Sequence, residues 1–107
     1  MNNVFLVGNL TRNPEVKYTV SDNPVAVCSF DLAVNRIGDG VDYPKIKVFG
    51  KQAENCERFL AKGSKVAISG RIQTGSYENR KGDKVYTTEV IADRVEFVGI
   101  KPDSRLP

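Results

Sequence analysis

Apolar residues recur at every second position through most of this chain, and the period changes once, between Lys51 and Lys62. A period of two is the signature of a strand with one buried face, and a period near 3.6 that of a helix. Val25 to Asn35 is the clearest strand: Ala26, Cys28, Phe30, Leu32 and Val34 share one face. In the helical stretch Ala53, Cys56, Phe59 and Leu60 fall on one side, and Glu54, Glu57, Arg58 and Lys62 on the other. Glu54 and Arg58 are spaced to pair along that helix, and Gly63 is a natural stop. A chain patterned this way folds as sheet with one helix.

The remaining strands follow in order. Asn3 to Gly8 is apolar at Val4, Phe5, Leu6 and Val7, and after a bend at Asn13-Pro14 the strand resumes over Glu15 to Thr19. Tyr43 to Phe49 is the third strand and ends at Gly50. In the fourth, from Lys65, the residues Val66, Ile68, Gly70 and Ile72 face the core, while Lys65, Ser69, Arg71, Gln73 and Tyr77 face out. Asn79 to Lys84 reads as a charged hairpin loop, and Val85 to Val98 as the last strand, with an interruption near Asp93-Arg94. Three strands, a helix and two strands, bent at glycines, imply an all-β fold. The architecture expected is a five-stranded oligonucleotide-binding (OB) barrel with one α-helix between strands 3 and 4; an open antiparallel sheet on one helix is the alternative.

Tyr43-Pro44-Lys45-Ile46-Lys47-Val48-Phe49 carries the chemistry. Alternation sends Ile46 and Val48 to the core and Tyr43, Lys45, Lys47 and Phe49 outward. Rings interleaved with cations suit single-stranded nucleic acid, because rings stack on bases and cations meet phosphates. Equally, such rings can pack under a loop. The fourth strand adds Arg71, Gln73 and Tyr77, and the hairpin adds Arg80, Lys81 and Lys84. No helix is available for a duplex groove, so the platform favours unpaired strands.

Composition narrows the rest. One domain of 107 residues buries roughly 60–65% of its unfolded surface, enough for a core without staples. Net charge is +3, mildly basic. The chain has no histidine and two cysteines, which removes Ser-His-Asp and Cys-His catalysis and closed zinc sites. Asp39, Gly40 and Asp42 lack the ligand series of a calcium loop. No enzyme activity, metal or cofactor is expected. Cys28 and Cys56 read as small buried hydrophobes in a reducing compartment. With no secretory apolar region and no run near the ~18–20 residues of a membrane span, a cytoplasmic protein without a membrane partner is expected.

Several segments together resemble the bacterial or phage-type single-stranded DNA-binding proteins of the OB fold. They are Val4 to Tyr18, Val48 to Glu54, Leu60 to Ser64, Gly70 to Thr74 and Tyr86 to Val90. The resemblance covers residues 1–98 in the right order and spacing. It implies sequence-independent binding of single-stranded DNA in replication, recombination and repair, by a homo-oligomer, usually a tetramer. It also implies stacking by aromatics at Tyr43, Phe49 and Tyr77, the three that alternation selects. Well-known members carry tryptophan at two of these positions, and this chain has none. The family aromatic after the second strand has no counterpart near Ile37-Gly38. The family's acidic C-terminal tip, which recruits genome-maintenance proteins, has no counterpart in residues 101–107, read as a short tail, truncated or naturally without that tip. The OB domain is assigned to residues 1–100.

The expected DNA-binding set is therefore Tyr43, Lys45, Lys47, Phe49, Arg71, Gln73, Tyr77, Arg80 and Lys84, with Arg12, Lys17 and Lys51 as outlying cations. Two rival readings share the fold: a replication-restart module acting through protein contacts, and an RNA-binding barrel.

Overall fold

A computed structural model describes residues 1–98; the end of the assigned domain at Gly99 and Ile100, and the tail 101–107, lie outside them. Seven strands and one helix run in the order β1 (Val4–Leu10), β2 (Glu15–Tyr18), β3 (Ala26–Asn35), β4 (Val41–Asp42), β5 (Lys45–Phe49), α1 (Lys51–Phe59), β6 (Lys65–Glu78) and β7 (Lys84–Val98). The ladders pass from β1 to β6, β7, β5 and β3, and β3 returns to β1 through Asn9 opposite Ala33 and Leu10 opposite Leu32. Five strands thus form a ring, with the helix between the third and fourth of the strands expected. The short β2 and β4 extend β3 beyond the ring.

Alternation explains what fills the ring. Ala26, Cys28, Phe30 and Leu32 of β3, Ile46 and Val48 of β5, and Val66 and Ile68 of β6 are all buried in one cluster. Ala53, Cys56 and Leu60 close it from the helix side. Cys28 and Cys56 are free thiols and fully buried, as their apolar settings predict. Gly8 is required where β1 crosses β3: a Cβ there would meet the Ala33 carbonyl oxygen at 2.5 Å. Gly70 likewise lies against the backbone at Ile91.

Several sequence expectations need correction. The third strand begins at Lys45, not Tyr43. Pro44 has no N–H to donate to a ladder, although its carbonyl still accepts from Leu32 N–H at 3.1 Å. The register is nevertheless the same on both sides of the gap, with Asp31 opposite Lys45 and Val34 opposite Asp42. The helix ends at Phe59 instead of Lys62, and Leu60, extended, takes the last buried place. Phe59 is therefore left half-exposed, tilted against the Phe97 ring at 6.1 Å. Glu54 does not pair with Arg58; it accepts from the Tyr18 hydroxyl at 3.5 Å. Finally, Ile72 is exposed. β6 leaves β1 after Gly70 and pairs only with β7 from there on, so the two strands project as a two-stranded arm.

The interruption expected at Asp93-Arg94 is a bulge within a continuous strand. Ser69 pairs Arg94 and Gly70 pairs Ala92, which leaves Asp93 without a partner. The extra residue switches the inward parity of β7 from Val90 and Ala92 to Val95 and Phe97. Gln52 of α1 satisfies the backbone groups the bulge frees: its Nε2 donates to the Asp93 carbonyl at 2.8 Å and its Oε1 accepts from Val95 N–H at 3.1 Å.

Candidate nucleic-acid interface

Because Ile46 and Val48 are buried, Lys45, Lys47 and Phe49 stand on the outer side of β5. The antiparallel register sets Asp31, Ser29 and Val27 of β3 beside them, and β2 then adds Glu15 opposite Ser29 and Lys17 opposite Val27. On the other flank β7 runs parallel, with Lys47 opposite Ile91, and β6 follows with Arg71 opposite Ile91 and Gln73 opposite Glu89. One outward face therefore spans β2, β3, β5, β7 and β6. Its centre is a groove of about 350 Å³ lined by Lys17, Lys45, Lys47, Glu15, Glu89 and Ser29. Ile91, between Lys47 and Arg71 in register, is buried and gives this face an apolar floor.

The cations are not equivalent. Lys47 Nζ lies 3.2 Å from Glu89, Arg71 3.4 Å from Asp93, and Arg12 3.3 Å from Asp31. The Arg71 and Arg12 pairs are largely exposed and worth about 0–1 kcal/mol, so a phosphate can displace the carboxylate at little cost, whereas the Lys47–Glu89 pair is partly buried. Lys45, Lys17 and Lys51 have no carboxylate within ion-pairing distance among the described residues, nor do Arg80 and Lys84.

Of the three aromatics, Phe49 and Tyr77 keep the odd-numbered face, Phe49 opposite Val27 and Tyr77 opposite Val85 on the arm. Tyr43 precedes the strand and stands at its rim, where it lines a separate groove of about 450 Å³ with Pro44, Ile72 and Val90. All three rings are exposed. Arg80 sits at the arm's tip. That turn is held by the Asn79 carboxamide, whose Oδ1 accepts from the N–H groups of Lys81 and Asp83, and by Gly82 at φ +84°.

Lys84 departs from the expected grouping. It pairs Glu78, an even-numbered position, and so lies on the side of the arm opposite Tyr77, with its Nζ 5.5 Å from the Tyr86 ring centre. Sequence reasoning also missed the acidic partners Asp31, Glu89 and Asp93. Asp31 was detectable as an odd-numbered residue in a strand whose even positions are apolar. Glu89 was not, because its place beside Lys47 depends on the parallel β5–β7 pairing.

A closed ring of five strands with one helix beneath it, and a face of rings and cations across its middle strands, defines a module of the OB class. The comparisons agree. The chain matches the single-strand binding protein family over residues 1–98 and belongs to that family. It is 48% identical over 104 residues to single-stranded DNA-binding protein 1 of Staphylococcus aureus strain Mu50, covering 92% of this chain and 65% of that one. It is 47% identical to the single-stranded DNA-binding protein of Halalkalibacterium halodurans, with 92% and 61% covered. With single-stranded DNA-binding protein 2 of S. aureus strain COL it shares 42% over 111 residues, 98% of this chain and 78% of the relative. The chain thus spans a little under two thirds of the first two relatives' length.

Proposed function

We propose that this chain binds single-stranded DNA without sequence preference and protects it during replication, recombination and repair. The observation that carries the reading is the single outward face that brings Phe49 and Tyr77 together with Lys17, Lys45, Lys47 and Arg71. Tyr43, Phe49 and Tyr77 stack on bases. Lys45, Lys47, Arg71 and Arg80 hold phosphates, with Arg12, Lys17 and Lys51 flanking. Gln73 supplies a neutral amide on the same face. The protein acts as a binder and not a catalyst: it shifts duplex melting by taking up the unpaired form.

A homo-oligomer, a tetramer by family habit, is part of this reading. Phe5 and Val7 on β1 are exposed at 76% and 53% and line a groove with Ala67 and Ile68. Apolar surface of this kind beside a strand that is unpaired along Val4 to Gly8 on one edge supports pairing with a second copy. Light scattering on the parent and on Phe5→Glu tests it: a multimer that dissociates in the variant is expected, and a monomeric parent overturns it.

The binding test is fluorescence anisotropy with a labelled poly-dT oligomer and a duplex of equal length, across a salt series. Tight binding of the single strand alone is expected, with a logarithmic salt slope of about −0.7 per neutralised phosphate. Equal or negligible binding to both would overturn the reading in favour of a module that works through protein contacts.

A further inference from the structure

The arm formed by β6 and β7 has two sides, and the face described above uses only one. Tyr86 pairs Ser76 across the arm, whereas Tyr77 pairs Val85, so the two rings point to opposite sides. Tyr86 is 75% exposed, as open as any aromatic ring among the described residues apart from Phe5. Its neighbour is a cation: Lys84 Nζ lies 5.5 Å from the ring centre and has no ion-pair partner among the described residues, although Glu78 stands opposite it. A ring with an unpaired ammonium beside it offers one base a stacking surface and its phosphate a counter-charge.

This side of the arm is also continuous with the rest of the molecule. From Tyr86 it passes through Thr88, opposite Thr74, to Ile72, opposite Val90. Ile72 and Val90 line the 450 Å³ groove that has Tyr43 at its rim. The root of the arm is fixed there by Asn2, whose Oδ1 accepts from Ile72 N–H at 3.0 Å and whose Nδ2 donates to the Ile72 carbonyl at 2.8 Å. Tyr43 therefore stands where the lysine face and the reverse side of the arm meet.

We propose that the reverse side of the arm is a second track for single-stranded DNA, with Tyr86 as its stacking ring and Lys84 as its phosphate contact, reached past Tyr43 and Ile72. It rests on the DNA-binding reading and extends it. A strand long enough to leave the lysine face crosses the arm and is held on both sides, by Tyr77 and by Tyr86. An oligomer short enough to be satisfied by the lysine face does not reach it.

The test compares the full chain with Tyr86→Ala and Tyr86→Phe, on dT oligomers of about 8 and about 35 nucleotides, since one OB module occludes roughly 4–16. Loss of one stacked base weakens binding roughly 5- to 150-fold. That loss is expected for Tyr86→Ala on the long oligomer only, with Tyr86→Phe restoring it and the mass of the assembly unchanged by light scattering. An alanine variant that binds both oligomers like the parent overturns the proposal. So does one whose assembly dissociates, which would make the reverse side a contact between copies. A parent that binds neither oligomer refutes the DNA-binding reading itself, a separate outcome.

Discussion

Replacing Glu89 by Gln should strengthen binding of single-stranded DNA. The carboxylate of Glu89 holds Lys47 Nζ at 3.2 Å, and their side chains are 19% and 34% exposed. A phosphate arriving at Lys47 must displace that carboxylate and also approach its negative charge. At 3.2 Å two unit charges interact by about 1.3 kcal/mol in bulk water and by more in a half-buried site. Exposed pairs give about 0.2–1 kcal/mol once desolvation and side-chain ordering are included, and that range sets the scale here. The gain on releasing Lys47 is accordingly about 1.5- to 5-fold in affinity at low salt. Gln keeps the shape and polarity that sit opposite Gln73, so the fold is not disturbed. Anisotropy titration of poly-dT against both proteins reads the effect. The salt slope should steepen by about 0.7 if Lys47 takes a phosphate only when released. Weaker binding by Glu89→Gln would refute the argument, because it would mean that the carboxylate positions Lys47 for the phosphate.

Other substitutions probe different parts of the design. Tyr43→Ala with Phe49→Ala removes two stacking rings, each worth about 1–3 kcal/mol, so poly-dT affinity should fall at least about 25-fold while circular dichroism keeps the parent's spectrum; unchanged affinity would refute the platform. Gln52→Ala leaves the Asp93 carbonyl and the Val95 N–H at the bulge without their partners and should lower stability by about 1–3 kcal/mol in urea melts. A shift in midpoint too small to measure would show that water replaces Gln52. Gly8→Ala forces a Cβ against the Ala33 carbonyl where two residue pairs close the ring, at a cost of about 1–3 kcal/mol by the same melts. Asp42 accepts two hydrogen bonds from Arg36, at 2.8 and 3.1 Å, which hold its carboxyl below the usual range. The folded state is therefore favoured above that range, and this contribution is lost as pH falls through the lowered value. A carboxyl-carbon NMR titration that gave an ordinary midpoint for Asp42 would contradict the pairing.

Much of this arrangement was legible in the residues because it depends on parity alone. The inward set of β3 and the outward Lys45, Lys47 and Phe49 of β5 need no knowledge of neighbours, and neither does the buried thiol pair. Parity fails at two kinds of place. Past Asp93 one extra residue exchanges the faces of β7, and the sequence there shows only two charged residues. At Ile72 the alternation is intact but the core has ended, because β1 no longer runs beside β6; burial there is set by the partner strand. Phe59 fails for a related reason. Its helical phase is right, yet the helix stops at it and Leu60 occupies the space. The ion pairs of Lys47, Arg71 and Arg12 were invisible because each joins residues from 19 to 42 positions apart.

The same division governs which substitutions separate binding from folding. Within the ring, each strand shares its residues between core and surface, so Lys45 and Phe49 stand on a backbone pinned by the fully buried Ile46 and Val48. Changes on that outer face cost little stability, since alternation keeps them off the core. Beyond Gly70 and Val90 the arm has no buried residue on either strand, and its order comes from the β6–β7 ladder and the Asn79 turn. Rings on the arm can therefore be placed on both sides at no expense to the core. Inside the ring that arrangement is impossible, because a ring side chain turned inward is buried in the core, as Phe30 is. A two-stranded arm is the element of this fold on which Tyr77 and Tyr86 can both face solvent, and exposed ring surface grows there without enlarging the domain.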